Sequence, residues 1–120
     1  MDRLHRELLN SFSFIYKMFK IEREYIRRDT ASLTEINFLD LIDEFESYYK
    51  RLEQTTIPIE CDEQTRCTLM DETNDCTHHM LDKILLISDN LLISGRYSTY
   101  TNLNVLINSL SQALEKHGRC

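Results

Sequence analysis

Residues 2–28 have the sequence DRLHRELLNSFSFIYKMFKIEREYIRR, and this stretch decides the fold class. Its apolar residues recur at spacings of three, four and seven, the pattern of a helix that buries one face. The members of this core stripe are Leu4, Leu8, Phe12, Ile15, Phe19 and Ile26. Basic residues close the stretch, where cations suit the negative end of a helix dipole. The sequence therefore predicts a first helix over residues 2–28.

Three further helices are predicted downstream. Ser32 and Glu35 have the spacing of a capping box, which predicts a second helix over 33–54. Pro58 breaks that pattern because it lacks an amide donor. A long apolar stripe then predicts a third helix over 62–93, although its polar first third fits a loop as well as a helix. Gly95 is a natural stop, and the last helix is predicted over 98–117.

The composition agrees with helices and excludes a turn-rich β fold. The chain has 120 residues, of which 42% are hydrophobic, with only two glycines and one proline. A β sandwich or barrel needs many more Gly and Pro residues at its corners. A chain of this length fits one domain. We therefore predict an all-α, antiparallel four-helix bundle that forms a single domain over 1–120.

The charge and hydropathy of the chain limit its partners and compartment. The net charge is −6, which argues against binding to a nucleic-acid backbone. The first residues are too charged for a signal peptide, and the longest apolar run, at residues 84–87, is too short to span a bilayer. We expect an intracellular protein with no membrane span, in the cytoplasm rather than the nucleus. Secretion of a mature domain is the alternative.

Three of the four cysteines lie close to a histidine pair. The group comprises Cys61, Cys67, Cys76, His78 and His79. These are weak candidates for zinc, because the close Cys-x2-Cys pair of strong zinc motifs is missing. If 62–93 is one helix, Cys67 and Cys76 face opposite sides and can share neither a metal nor a disulfide. We favour free thiols and expect no metal or other cofactor, with disulfides and structural zinc as open alternatives.

Residue patterns that would indicate an enzyme are absent from the sequence. There is no nucleophile elbow, phosphate-binding loop or His-Glu-x-x-His motif, so we expect a non-enzymatic protein. An acidic run on the second helix begins at Asp40 and Asp43 and should lie beside the basic end of the first helix. Ion pairing between the two helices is the simplest role for that run.

The first helix carries a second apolar stripe besides its core stripe. This stripe steps by four, three and four through Phe14, Met18, Ile21 and Tyr25. The two stripes are centred about 115° apart, so the helix is apolar over more than half its circumference. Either this helix is unusually central, or the second stripe is an exposed contact surface. Leu86 and Ile93 form a weaker analogue on the third helix.

These features lead to three hypotheses of function. The first is a helical interaction protein, such as an adaptor, an assembly subunit or a host-directed modulator of viral origin. It would bind a protein partner or a second copy of itself through the apolar face of the first helix. The second is a secreted, short-chain cytokine-like signalling protein with disulfides. The third is a zinc-stabilised helical module.

Overall fold

The computed structural model describes residues 3–55 and 60–116, with side chains described over 5–55 and 60–115. Four helices occupy these ranges, namely α1 (Arg3–Glu24), α2 (Leu33–Gln54), α3 (Glu63–Ile93) and α4 (Tyr97–Lys116). No strand occurs in the described ranges. The prediction of an all-α, single-domain four-helix bundle is confirmed. Asp2 and His117, at the predicted ends of the first and last helices, lie outside the described residues.

The first helix is shorter than predicted. It ends at Glu24 rather than at residue 28, because the chain tightens there into turns. The amide of Tyr25 donates to the carbonyl of Glu22, and the amide of Ile26 donates to that of Arg23. These bonds span three residues, so they close tighter turns than an α-helix has. The early end leaves residues 25–32 to reverse the chain before α2 begins.

Side-chain caps begin both α2 and α3. Ser32 Oγ accepts the amide of Glu35 at 3.2 Å, and a Glu35 carboxylate oxygen accepts the amide of Ser32 at 3.1 Å. The predicted capping box is therefore present. Asp62 accepts the amide of Thr65 at 2.6 Å, and hydrogen bonding to Thr65 lowers the pKa of the Asp62 carboxyl. Because α3 begins directly after Asp62, the doubtful first third of this element is helix.

Contacts between α2 and α3 show that the two helices are antiparallel. The amide group of Asn90 donates to the carbonyl of Thr34 at 3.2 Å, near the end of α3 and the start of α2. Lys83 pairs with Glu44 at 2.8 Å, ten residues later in α2 and seven residues earlier in α3. The remaining adjacent pairs are α1 with α2, α3 with α4, and α1 with α4. The four helices therefore form a closed cycle in which α1 and α3 lie diagonally.

An aromatic cluster holds α1 against α2 inside the bundle. The rings of Phe19 and Phe45 meet edge to face at 5.1 Å, and Tyr16 lies 5.0 Å from Tyr49. Such arrangements add stabilisation beyond the apolar area that they bury. Residues of the predicted core stripe of α1 are buried wherever side chains are described, except Ile26, which is half-buried and packs on the same core.

The bundle is elongated because α3 is longer than its neighbours. The Cα atoms of the whole bundle extend over 52 × 26 × 17 Å. The 31 residues of α3 span about 46 Å, whereas the 22 residues of α2 span about 33 Å. None of the helices in the described ranges combines the length and the apolar character that a membrane crossing requires.

Candidate functional site

The second stripe, formed by Phe14, Met18 and Ile21 of α1 and by Tyr25 in the turn that follows, is called the α1 face below. Phe14 is 61% exposed, Ile21 is 55% exposed and Tyr25 is 71% exposed. Met18 is half-buried and packs against the core. The core stripe of the same helix is buried independently of these residues. Three large side chains of the α1 face therefore lie mostly in solvent, outside the core of the bundle.

The two predicted residues of α3 are also exposed, but they do not extend the α1 face as one surface. Leu86 and Ile93 both have exposed side chains on α3. Since α1 and α3 are diagonal in the bundle, their outward faces point in opposite directions. Ile93 nevertheless approaches the α1 face at one end of the molecule, where Ile93 and Tyr25 line the same cavity.

That cavity, called the end cavity below, lies where α1 and α3 end and α2 begins. Its volume is about 390 Å³, at the lower end of the range for ligand pockets. Buried Phe38 and Leu91 and half-buried Ile26 supply an apolar lining. The exposed side chains of Tyr25 and Ile93 form part of its rim. The end cavity thus combines an apolar interior with an open mouth.

A buried carboxylate forms the polar wall of the end cavity. The side chain of Glu22 is only 8% exposed, and its Oε2 lies 2.7 Å from a guanidinium nitrogen of Arg96. Its Oε1 accepts the hydroxyl of Thr99 at 2.6 Å. The Arg96 guanidinium also lies 5.5 Å from the centre of the Tyr25 ring. These contacts join α1 to the start of α4 and satisfy a charge that would otherwise be costly to bury.

Glu22 is not among the residues predicted from the sequence, although the spacing of the core stripe carries a signal for it. Glu22 lies three residues after Phe19 and four before Ile26, so it occupies a position of the core stripe. A carboxylate is almost never fully buried unless it is paired, so its position indicates a polar partner. Nothing in the local sequence identifies Arg96 as that partner, because α4 packs on α1 only in the folded chain.

The candidate zinc ligands do not come together. Cys67 and Cys76 lie on the single helix α3, nine residues and so about 180° apart. His78 and His79 are exposed, and His79 stacks on Tyr48 with ring centres 5.0 Å apart. Within residues 3–55 and 60–116, no three side chains of the His, Cys, Asp and Glu types assemble a metal site.

The cysteines differ in their chemical state. Cys67 is disulfide-bonded, which is a correction to the expectation of free thiols throughout. Cys61 and Cys76 keep their thiols. Burial raises the pKa of the Cys76 thiol, whose sulfur lies 3.2 Å from the carbonyl oxygen of Tyr48. A neutral, buried thiol is a poor nucleophile, so Cys76 acts as part of the core.

Arg23 near the end of α1 and Arg28 in the turns after it pair with the acidic run of α2, as the sequence indicates. Arg28 lies 2.9 Å from Asp43 and 3.8 Å from Asp40. Arg23 lies 3.5 Å from Asp43 and 3.6 Å from Glu46. The hydroxyl of Tyr16 is also hydrogen-bonded to Glu46. The acidic run is thereby engaged within the bundle, which leaves the α1 face and the end cavity as the candidate sites.

Comparison with protein-family models, with curated proteins and with solved structures finds no match to this chain.

Proposed function

We propose that this protein is a non-enzymatic helical interaction module that binds a partner protein along the α1 face. The observation that carries the proposal is the exposure of Phe14 and Ile21 on one side of α1, and of Tyr25 in the turn after it, while the core stripe of the same helix is buried. Aromatic residues are enriched in protein interfaces because they supply a large area that is desolvated on binding. Half-buried Met18 lies between them with an adaptable side chain.

The partner that fits this surface best is an amphipathic helix of another protein. The steps of four and three residues through Phe14, Met18 and Ile21 match the spacing of a seam between two helices. The 22 residues of α1 form a strip of about 33 by 10 Å, or about 330 Å². Stable interfaces bury about 800 Å² on each partner, so this strip fits a weak, transient complex with a helix of another protein better than a permanent homodimer.

The test uses a photo-crosslinking amino acid in place of Ile21, with the same group in place of Val105 as a control. Val105 is 62% exposed on α4 and so matches Ile21 in accessibility. Crosslinking in cells of the natural source should capture a partner from position 21 and not from position 105. The captured protein is then purified and its Kd for the wild-type chain is measured.

The decisive measurement compares that Kd between two variants. The double variant Phe14→Ser with Ile21→Ser should weaken binding about 10- to 100-fold, or by about 1.4–2.8 kcal/mol, because it removes both large apolar side chains that α1 exposes on this face. The control Val105→Ser should leave Kd unchanged. Met18 is kept, because it packs on the core and its loss would also affect folding. An unchanged Kd in the double variant, or crosslinking of the chain only to itself, would contradict the proposal.

A secreted, cytokine-like bundle is the second candidate, and the disulfide at Cys67 favours it. Disulfides persist mainly in oxidising compartments, whereas thiols at Cys61 and Cys76 are compatible with the cytoplasm that we propose for the interaction module.

Intact mass spectrometry of protein from its natural source separates the two compartments. A secreted chain should be lighter by two hydrogens before reduction, with Cys67 protected from alkylation. A cytoplasmic chain should show no mass change on reduction and should be alkylated at Cys67 after unfolding.

A further inference from the structure

The end cavity has the polarity of a small-ligand site, and this inference goes beyond the proposed partner binding. Phe38 and Leu91 are buried in its lining, and Ile26 is half-buried beside them. Apolar pockets with a few fixed polar groups are typical of small-molecule sites. The volume of about 390 Å³ admits a ring or a branched aliphatic group with one polar substituent. The lining therefore favours a ligand whose apolar part is a ring or a branched aliphatic group.

The charges around the end cavity specify the polar part. Glu22 and Glu35 each contribute a carboxylate and Arg96 one guanidinium, so the lining has a net negative charge. Glu22 accepts one bond from Arg96 and one from Thr99, although a carboxylate can accept about four. Glu35 accepts the amide of Ser32 through one oxygen. Both carboxylates therefore retain acceptor capacity for an incoming donor.

The helix dipoles at this end of the bundle do not reverse the preference of the cavity for a hydrogen-bond donor. The starts of α2 and α4 contribute positive ends near the cavity, while the ends of α1 and α3 contribute negative ends. These partial charges are similar in size and oppose each other in pairs. The side-chain charges then decide the sign of the site, and a cationic donor is favoured over an anion.

We propose that the end cavity binds a small amphipathic cation, an ammonium group carried on an aromatic or branched aliphatic body. The apolar body lies against Phe38 and Leu91, and the ammonium group donates to Glu22 and Glu35. The rim residue Tyr25 is shared with the α1 face, but the site requires no partner protein.

The test is an NMR titration of the labelled full chain with three matched probes. Phenethylamine is a cation at pH 7, 2-phenylethanol is its neutral analogue, and 3-phenylpropionate is an anion of similar shape. We expect saturable shifts of the Ile26, Leu91 and Ile93 methyl groups with phenethylamine, with a Kd in the millimolar range that small ligands reach. The alcohol should bind at least fivefold more weakly, and the carboxylate should not bind.

Two variants and one control variant show whether the NMR shifts arise from binding in the end cavity. All three substitutions leave the core side chains unchanged. Glu35→Gln keeps the capping box, which accepts Gln at this position, and should reduce the preference for the amine over the alcohol. Ser94→Trp places a ring at the rim from an exposed position and should abolish the shifts. Ser47→Trp carries the same ring on the exposed outer side of α2 and should leave them unchanged.

A fourth probe distinguishes a protein segment from a free small amine as the source of the ring and the ammonium group. N-acetyl-phenylalanyl-lysinamide carries the same ring and ammonium group on a peptide, so tighter binding than phenethylamine would assign the ligand to a protein segment. Weaker binding would assign it to a free amine. Equal binding of all three small probes, or amine-induced shifts that survive in Ser94→Trp, would overturn the proposal.

Discussion

Whether a side chain at these sites is buried or exposed depends on the groups around it more than on its residue type. Glu22 is a carboxylate in a core position, and it is accommodated because Arg96 and Thr99 both bond to it. Removing one partner of a buried ion pair leaves the other charge uncompensated, which costs more free energy than the pair contributes. Met18 belongs to the same stripe as Ile21, yet Met18 packs on the core while Ile21 lies in solvent.

The buried thiol of Cys76 should make the stability of the fold depend on pH in the alkaline range. Burial raises the pKa of this thiol in the folded state above its ordinary value of about 8.5. Below that value the thiol is protonated in both the folded and the unfolded state, so its ionisation does not lower the free energy of unfolding. As pH rises through it, the unfolded chain ionises first and binds fewer protons, and the free energy of unfolding falls.

Urea unfolding between pH 7 and 10 measures this effect, with Cys76→Ala as the comparison. The wild-type chain should lose stability more steeply with pH than the variant, because only the wild type carries the perturbed thiol. Parallel pH profiles for the two proteins would show that Cys76 ionises equally in the folded and unfolded states.

At the scale of elements, local capping determines where α2 begins. The reciprocal bonds between Ser32 and Glu35 satisfy two amides that would otherwise lack partners at the helix start. The same start lines the end cavity. The position of α2 is therefore specified twice, by a local cap and by contact of the helix with α1 and α3.

Removal of this cap should destabilise the protein measurably. Ser32→Ala should lower the free energy of unfolding by about 1 kcal/mol, the usual cost of losing an N-cap hydroxyl. Ser47→Ala makes the same chemical change at an exposed interior position of α2 and should alter stability by no more than about 0.5 kcal/mol. Both values come from urea unfolding monitored by circular dichroism. A loss in Ser47→Ala equal to that in Ser32→Ala would rule out the cap as its source.

At the scale of the whole molecule, the unequal helix lengths predict unequal stability. Tyr48 and Cys76 are in contact across α2 and α3, so antiparallel packing places Gln54 level with about residue 70. Residues before that point extend past the end of α2, and none of residues 63–69 is buried. Residues 84–91 lie instead where α3 packs against both α2 and α4.

Hydrogen exchange should reveal this gradient along α3. Amides of residues 67–69 should exchange faster than those of residues 84–91, because fewer buried contacts oppose local opening. Reduction of the Cys67 disulfide should widen the difference by removing a local constraint. Mass spectrometry of peptic fragments, with and without reductant, measures both effects. Uniform protection along α3 would contradict the assignment of its first turns as the weaker part.

The sequence by itself determined the number of helices, their limits to within a few residues, the core stripes and the capping box. These features depend on the spacing of residues a few positions apart, which the chain specifies locally. The early end of α1 departed from that pattern because the chain turns there toward α2.

Tertiary structure decided everything that depends on how the helices meet. The α1 face was visible as a pattern, but only packing separated half-buried Met18 from exposed Phe14 and Ile21. The end cavity and the pairing of Glu22 with Arg96 join residues that are 74 positions apart in the chain. Local periodicity shows which side of a helix is apolar, whereas the position of neighbouring helices determines which apolar and charged groups are left facing water.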